Sequence, residues 1–312
     1  MLSPVRNLKA RRSELPKLAL SNPVLSSLLA RLAEGASRAA SALAGLNRNE
    51  ATPDPFGHGE CRRGRVYLVG AGPGSADLLT LRAARLLAQA DAIVYDRLVG
   101  DAILAMIPSG RERYYVGKAA GHHSVPQAEI GALLVRLAGE GKSVVRLKGG
   151  DPAIFGRMGE EIGALYAADV SAEIVPGITA ASGAAAAMGM ALTDRAHAQQ
   201  LRFVTAQLCR EGGEPDWASL ARRDETLVFY MGLAKVEAIS HGLRGAGLPD
   251  DWPMMLIANA SLAEQRTLIG TLADMPQALV DNPLPSPCLI VVGSVVKMAV
   301  QAQRQETMPE EA

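Results

Sequence analysis

At 312 residues the chain can build two ordinary domains or one large one. Its composition, 48% hydrophobic and 21% charged, is enough to fill substantial cores. Its 32 basic and 32 acidic residues cancel, so bulk charge gives no reason to expect nucleic acid as a partner, although a local basic pocket for a small polyanion remains open.

Residues 1–63 read as a helical extension and linker. Leu25, Leu28, Leu29 and Leu32 fall at helical spacing, an Ala-rich stretch runs to Leu46, and Asn47 to Gly57 reads as a tether. The helix could bind a partner, support a dimer or be a plain extension. The opening MLSPVRNLKARR lacks the long apolar segment of a secretory signal.

A first α/β domain is expected over 64–195. Val66 to Val69 reads as a strand, Leu78 to Gln89 as a helix capped by Asp77, and Ala92 to Tyr95 as the next strand, a βαβ unit that implies a parallel sheet. A helix over Gln127 to Ala138, a strand over Ser143 to Leu147, a helix over Glu160 to Ala168 and a strand over Glu173 to Val175 follow. The Ala/Gly-rich run at 177–192 carries Thr179 and Ser182 and falls short of about 18 strongly apolar residues, so it reads as a buried helix and no membrane partner is expected. A second α/β domain, 196–303, is denser in strands: 201–204, 226–230, 254–257, 267–272 and 288–293, in a mixed sheet. Residues 304–312 read as a flexible tail. Cys61, Cys209 and Cys288 are odd in number and far apart, which fits a reducing, cytoplasmic setting.

Three glycine-rich turns end strands: Gly70-Ala71-Gly72-Pro73-Gly74, Gly149-Gly150-Asp151-Pro152 and Pro176-Gly177-Ile178-Thr179-Ala180. Together they suggest bare backbone brought against a compact ligand in an interdomain cleft. The first turn fits neither a dinucleotide fingerprint, because Pro73 interrupts it, nor a P-loop, because no lysine follows at the required spacing. Asp151 could accept hydrogen bonds from a ligand, and the helix after Thr179 could offer N–H groups to a carboxylate. Asp96 and Lys118, at strand ends, could act as base and acid, anchor substrate or form a plain salt bridge. Adjacent His122 and His123 cannot both face one site from a regular strand, and no metal site is expected.

From about Gly64 to Val300 the chain resembles the uroporphyrinogen-III C-methyltransferases of the tetrapyrrole methylase class. The resemblance rests on VYLVGAGPGSADLLTLRAARLL (66–87), ADAIVYDRLV (90–99), YYVGKAAGHHSVPQAEI (114–130), VVRLKGGDPAIFGRMGEE (144–161), VPGITAASGAAAAMGMALTDR (175–195) and TLVFYMG (226–232). It implies the tetrapyrrole methylase fold, a homodimer, and S-adenosylmethionine folded into a cleft between two α/β domains. It also implies methylation of C2 and C7 of uroporphyrinogen III to precorrin-2, with S-adenosylhomocysteine released. The cofactor contacts it implies are Pro73, Gly149, Gly150, Asp151, Ile154, Thr179, Ala180, Met231 and Ala260. Asp96 corresponds to the proposed base, and Lys118 to an acid or substrate-positioning residue. Arg97, Arg111, Arg113, Arg146 and Arg157 are candidates for the eight substrate carboxylates.

Some positions depart from the family pattern. Asp194 stands where a histidine is usual, Thr-Ala-Gln-Leu (205–208) where Thr-Gly-His is frequent, and Ala260 where a glycine contacts cofactor, so its methyl could crowd adenosine. Residues 1–63 are too short for the dehydrogenase–ferrochelatase module of the fused sirohaem synthases, so methyl transfer alone is expected. A later precorrin C-methyltransferase is the enzyme alternative, and a non-catalytic tetrapyrrole or S-adenosylmethionine binder is the alternative of another class.

Overall fold

A computed structural model describes residues 61–117, 125–206 and 215–299, which fall in a unit spanning Glu60–Ala312. The expectations for the N-terminal extension, Lys118, His122, His123, Cys209 and the tail lie outside the described residues.

The first sheet is built from Val66–Gly70 (β1), Ala92–Tyr95 (β2), Glu112–Tyr115 (β3), Val144–Lys148 (β4) and Ala172–Val175 (β5), in the order β3-β2-β4-β1-β5. Every pairing is parallel. The helices between these strands are Leu81–Gln89 (α1), Asp101–Leu104 (α2), Gln127–Gly139 (α3) and Met158–Ala167 (α4). Both central strands, β1 and β4, are buried along their whole length, as strands covered on both faces must be. Ala83, Leu86 and Leu87 of α1 pack with Val69, Ile93 and Leu147 on one face, and Ile130, Leu134 and Leu165 of α3 and α4 with Val66, Val94 and Val144 on the other. The chain leaves β1 in one direction across the sheet and leaves β4 in the other. Their carboxyl ends therefore flank a topological switch point, where such sheets place ligands.

The second sheet has the order β6-β7-β10-β8-β9 and is mixed, with β6 and β7 parallel and the remaining pairs antiparallel. Its strands are Gln200–Thr205 (β6), Glu225–Tyr230 (β7), Pro253–Ala258 (β8), Arg266–Thr271 (β9) and Cys288–Val292 (β10). The Ala-rich helix Ala180–Ala187 (α5) lies against one face, its Ala181, Ala184 and Ala185 packed with Val228, Met255, Leu289 and Val291. Trp217–Leu220 (α6), Val236–Gly245 (α7) and Met275–Asp281 (α8) cover the other with Leu220, Val236, Ile239, Leu243 and Met275.

The structure corrects one cap. Asp77 sits inside a 3-10 turn, Ala76–Leu78, and α1 starts only at Leu81, where the Thr80 hydroxyl accepts from Ala83 N at 3.1 Å. Thr80 is the first residue placed for that bond, because the turn at 76–78 uses up the residues ahead of it. Strand β3 and helices α2, α6, α7 and α8 are not among the elements that the sequence predicts. β3 is an edge strand with three of its four residues exposed, so its run ERYY carries no apolar alternation.

The glycines of the turns serve each other before they serve any ligand. A Cβ on Gly70 would lie 2.6 Å from Gly177 Cα and 2.7 Å from the Gly150 carbonyl oxygen. Three backbones meet there, at the carboxyl ends of β1, β4 and β5. Gly70→Ala is therefore expected to lose about 3 kcal/mol, because only backbone can give way. Gly163→Ala, on the exposed side of α4 with nothing within 4 Å of the added methyl, is expected to gain about 0.5–1 kcal/mol of helix propensity. Urea denaturation of the two variants checks both signs.

Candidate active site

Both sheets turn strand carboxyl ends toward one place. The turns after β1, β4 and β5 meet the loops after β7 and β8. Gly72 and Gly150 exchange two backbone hydrogen bonds, of 3.1 and 2.7 Å. Asp151 ties the second turn to the third, accepting from Ala153 N at 2.8 Å and from Gly177 N at 2.9 Å. From the second half, Tyr230 at the end of β7 places its hydroxyl 2.7 Å from Thr179 Oγ1 and accepts from Ala181 N at 3.2 Å. Its ring also lies 5.0 Å from that of Phe155. Burial pushes the Tyr230 phenol up, so it stays protonated. Ser75 N donates to Ser261 Oγ at 3.3 Å, joining the first turn to the loop after β8.

These joints collect most of the residues expected to hold a cofactor. Gly150 lies against Thr179 and Ala180, a Cβ there standing 3.6 Å from Ala180 N. Pro73 packs on Gly183 of α5, where a Cβ would come within 2.5 Å of its ring. Ile154 N closes a turn onto Asp151 O at 3.1 Å, and Met231 follows Tyr230 with half its surface exposed. Gly149 faces the loop after β2, where its Cβ would strike Leu98 Cβ at 2.6 Å. Among the described residues six non-glycine residues hold a left-handed φ. Five of them (Phe155, Arg157, Met231, Asn259 and Ser261) are in these loops, and such strain gathers at ligand-binding sites.

Ala260 lies between two of those strained residues, yet its own φ is not left-handed, and its methyl is buried in the cluster that holds Ala181 and Met188. The backbone therefore needs no glycine at this position. Asp194 caps its own turn, accepting from Ala196 N at 2.9 Å.

Asp96 stands at the carboxyl end of β2. Its Oδ1 accepts from Leu98 N and its Oδ2 from Arg146 Nη2, both at 3.0 Å. Arg146 also donates from Nε to Glu161 Oε1 at 3.0 Å, and Lys148 Nζ spans both Glu161 oxygens at 2.9 and 3.0 Å. Burial, then the neighbouring Arg146 charge, pushes the Lys148 ammonium below its ordinary range, against the pull of Glu161. Glu161 and Lys148 were not foreseen from sequence. The signal was available: two cations two residues apart on a buried strand share a face and require a buried counter-charge.

The arginine candidates divide. Arg111 precedes β3 and lies 3.6 Å from Asp91, at the amino edge of the sheet, opposite the turns. Arg113 sends its guanidinium to the Ile107 carbonyl at 2.8 Å, back into the segment before the strand. Both guanidinium groups are thus directed away from the turns, because a parallel strand puts its first residues at the far edge. Arg146 is 4% exposed at its side chain and spent on the charge network. Arg97 and Arg157 remain exposed at the carboxyl edge, Arg157 with Glu160 at 2.7 Å.

Chemically the site offers backbone N–H groups at the start of α5, which the Thr179 side chain does not cap, together with the Asp151 carboxylate and apolar walls. That donor set suits a ligand with a carboxylate, hydroxyls and a flat apolar ring. Neither described cysteine supplies a nucleophile: burial pushes both thiols up, Cys288 to about 12. Among the described residues no group of three His, Cys, Asp or Glu side chains is arranged to hold a metal, and no helix is long and apolar enough to cross a membrane.

Known proteins share this arrangement. The sequence pattern of the tetrapyrrole (corrin/porphyrin) methylases matches residues 65–276. A sirohaem synthase of Thiobacillus denitrificans is 51% identical over 239 residues, 77% of this chain and 50% of its own. The chain thus spans about half the length of the curated relatives it matches. A uroporphyrin-III C-methyltransferase of Thermus thermophilus, solved with S-adenosylhomocysteine, is 40% identical with a TM-score of 0.65, covering 75% of this chain and 99% of its own. A cobalt precorrin-4 methyltransferase of cobalamin biosynthesis is 28% identical with a TM-score of 0.67, over 75% of this chain and 96% of its own.

The Tyr230 hydroxyl is one of the few polar ties between the halves. Tyr230→Phe keeps the ring contacts but strands Thr179 Oγ1 and Ala181 N, so thermal unfolding should report a loss of about 1–2 kcal/mol.

Proposed function

The chain belongs to the tetrapyrrole methylases, and from that premise we propose that it transfers methyl groups from S-adenosylmethionine to C2 and C7 of uroporphyrinogen III, giving precorrin-2. The observation that carries this reading is that the turns bearing Gly150, Asp151, Thr179 and Ala180 touch one another and Tyr230, the neighbour of Met231, with Pro73 packed on the same helix and Asp96 on the adjoining loop. Identity of 40% to a uroporphyrin methyltransferase, against 28% to a precorrin-4 enzyme, favours the first-step substrate. The second reading, a later precorrin methyltransferase, draws on the slightly higher TM-score of that enzyme, 0.67 against 0.65.

S-adenosylmethionine, when bound, supplies a methyl group already activated by its sulfonium. The chain's task is then alignment and exclusion of water. The α5 N-terminus and Asp151 would hold the polar ends of the cofactor, while Pro73, Ile154, Ala180 and Met231 shield its apolar parts. An electron-rich pyrrole carbon would provide the electron pair for the new C–C bond, and the electron pair of the broken sulfur–methyl bond would leave on the thioether of S-adenosylhomocysteine. Asp96 accepts the proton that leaves as the methylated macrocycle regains conjugation. Arg97 and Arg157, both exposed, would meet substrate carboxylates, and the family resemblance implies proton transfer or substrate positioning for Lys118.

Mass spectrometry of uroporphyrinogen III incubated with the protein and S-adenosylmethionine should show the gain of two methyl groups. No gain from folded, S-adenosylhomocysteine-binding protein rejects this substrate, and methylation of a precorrin instead supports the second reading. Asp96→Ala should lower kcat on the order of 10²–10⁴-fold while S-adenosylhomocysteine affinity holds. Equal loss of both would mark Asp96 as a structural partner of Arg146.

A further inference from the structure

We propose that Glu161 and Arg146 are positioning residues that hold the Asp96 carboxylate in its reactive orientation, an inference that rests on the role given to Asp96 above. The alternation of β4 sends Arg146 and Lys148 to one face, toward α4, where Glu161 is fully buried. Two cations and two carboxylates form a cluster of zero net charge. Three of its side chains are 6% exposed or less, while Asp96 is 23% exposed. The network thus has one open end, and that end is the proposed base.

Stability alone does not account for such a cluster. Burying four charges costs desolvation that apolar packing of the same volume would avoid. What the charges provide is direction. Lys148 Nζ bonds both oxygens of Glu161, and Gln127 Nε2 adds a third donor at 3.1 Å, so the glutamate cannot turn. Glu161 in turn fixes Arg146 at Nε, and the Leu147 carbonyl takes Nη1 at 2.9 Å. Only Nη2 is left for Asp96, and a planar fork held on two edges aims its third without freedom. With Leu98 N on its other oxygen, Asp96 is fixed at both ends, on a loop that Leu98 presses against Gly149.

The test uses the full chain with Arg146→Lys, which keeps the charge but loses the fork, and Glu161→Gln, which keeps the shape but loses the charge. A misplacement of about 1 Å costs on the order of 10²-fold, so kcat should fall by that order while KM for S-adenosylmethionine holds. In an Asp96→Ala background neither change should lower kcat further, because there is no carboxylate left to aim. Equal fold-losses with and without Asp96, or an unchanged kcat, overturn the proposal. Should Glu161→Gln not fold, the double variant Lys148→Met/Glu161→Gln removes one charge of each sign and takes its place. A crystal structure of Arg146→Lys decides the matter independently of substrate. A displaced Asp96 carboxylate supports positioning, and an unmoved one rejects it, whereas failure of the unaltered protein to methylate uroporphyrinogen III counts only against the functional reading.

Discussion

Direct backbone contact at Gly70, Gly150 and Gly177 is the constraint on which the rest of the site depends. Three parallel strands end at nearly one level, and their exits must cross without side chains between them. A single Cβ would hold the turns apart by more than a hydrogen bond can bridge. Because the backbones touch, Gly72 and Gly150 can pair, Asp151 can reach Gly177 N, and α5 starts directly above the crossing. The switch point of the sheet thus becomes a rigid floor rather than an open crevice.

Helix α5 extends that order into the second half. It follows β5 of the first sheet, and its alanines pack on β7, β8 and β10 of the second. Small side chains let the helix lie close to both neighbours, with Gly183 turned to Pro73 of the first turn. Tyr230 answers from the other side by bonding Thr179 and Ala181 at the helix start. The residues expected to hold cofactor are therefore set by two sheets at once. A shift of either sheet would move Thr179 and Met231 relative to Gly150, which is a reason for positive-φ residues to be tolerated here.

Much of this was legible in the chain. Runs such as VYLVG and CLIVV announce buried strands, and Ala/Gly enrichment at 177–192 announces a helix in a tight place. Edge strand β3 was not legible, since ERYY has no buried face to leave a pattern. The glycine turns were legible as turns, but their partners were not: the sequence marks a close approach and does not say to what. Which of the five candidate arginines lie near the turns was not legible for a similar reason. Position along a strand decides which edge a side chain serves, so Arg111, just ahead of β3, and Arg146, within β4 on the far side of β2, end in unrelated environments. Burial of Glu161 depends on which face of α4 meets the sheet, and a helix bearing Glu160 and Glu161 side by side leaves that choice open.

Ala260 shows how a departure from a family pattern can be absorbed. The loop after β8 turns through Asn259 and Ser261, whose φ values are +51° and +69°. Asparagine enters the left-handed region at little cost, and the Ser261 hydroxyl gains the Ser75 amide as a donor. The bend is complete without a glycine between them. The alanine methyl then points into apolar packing with α5, where burying one methyl group favours the fold by about 0.8 kcal/mol. A glycine there would leave that space unfilled and the loop freer to move. On this geometry the substitution exchanges loop freedom for packing against the helix that carries Thr179 and Ala180, stiffening the wall of the site from behind.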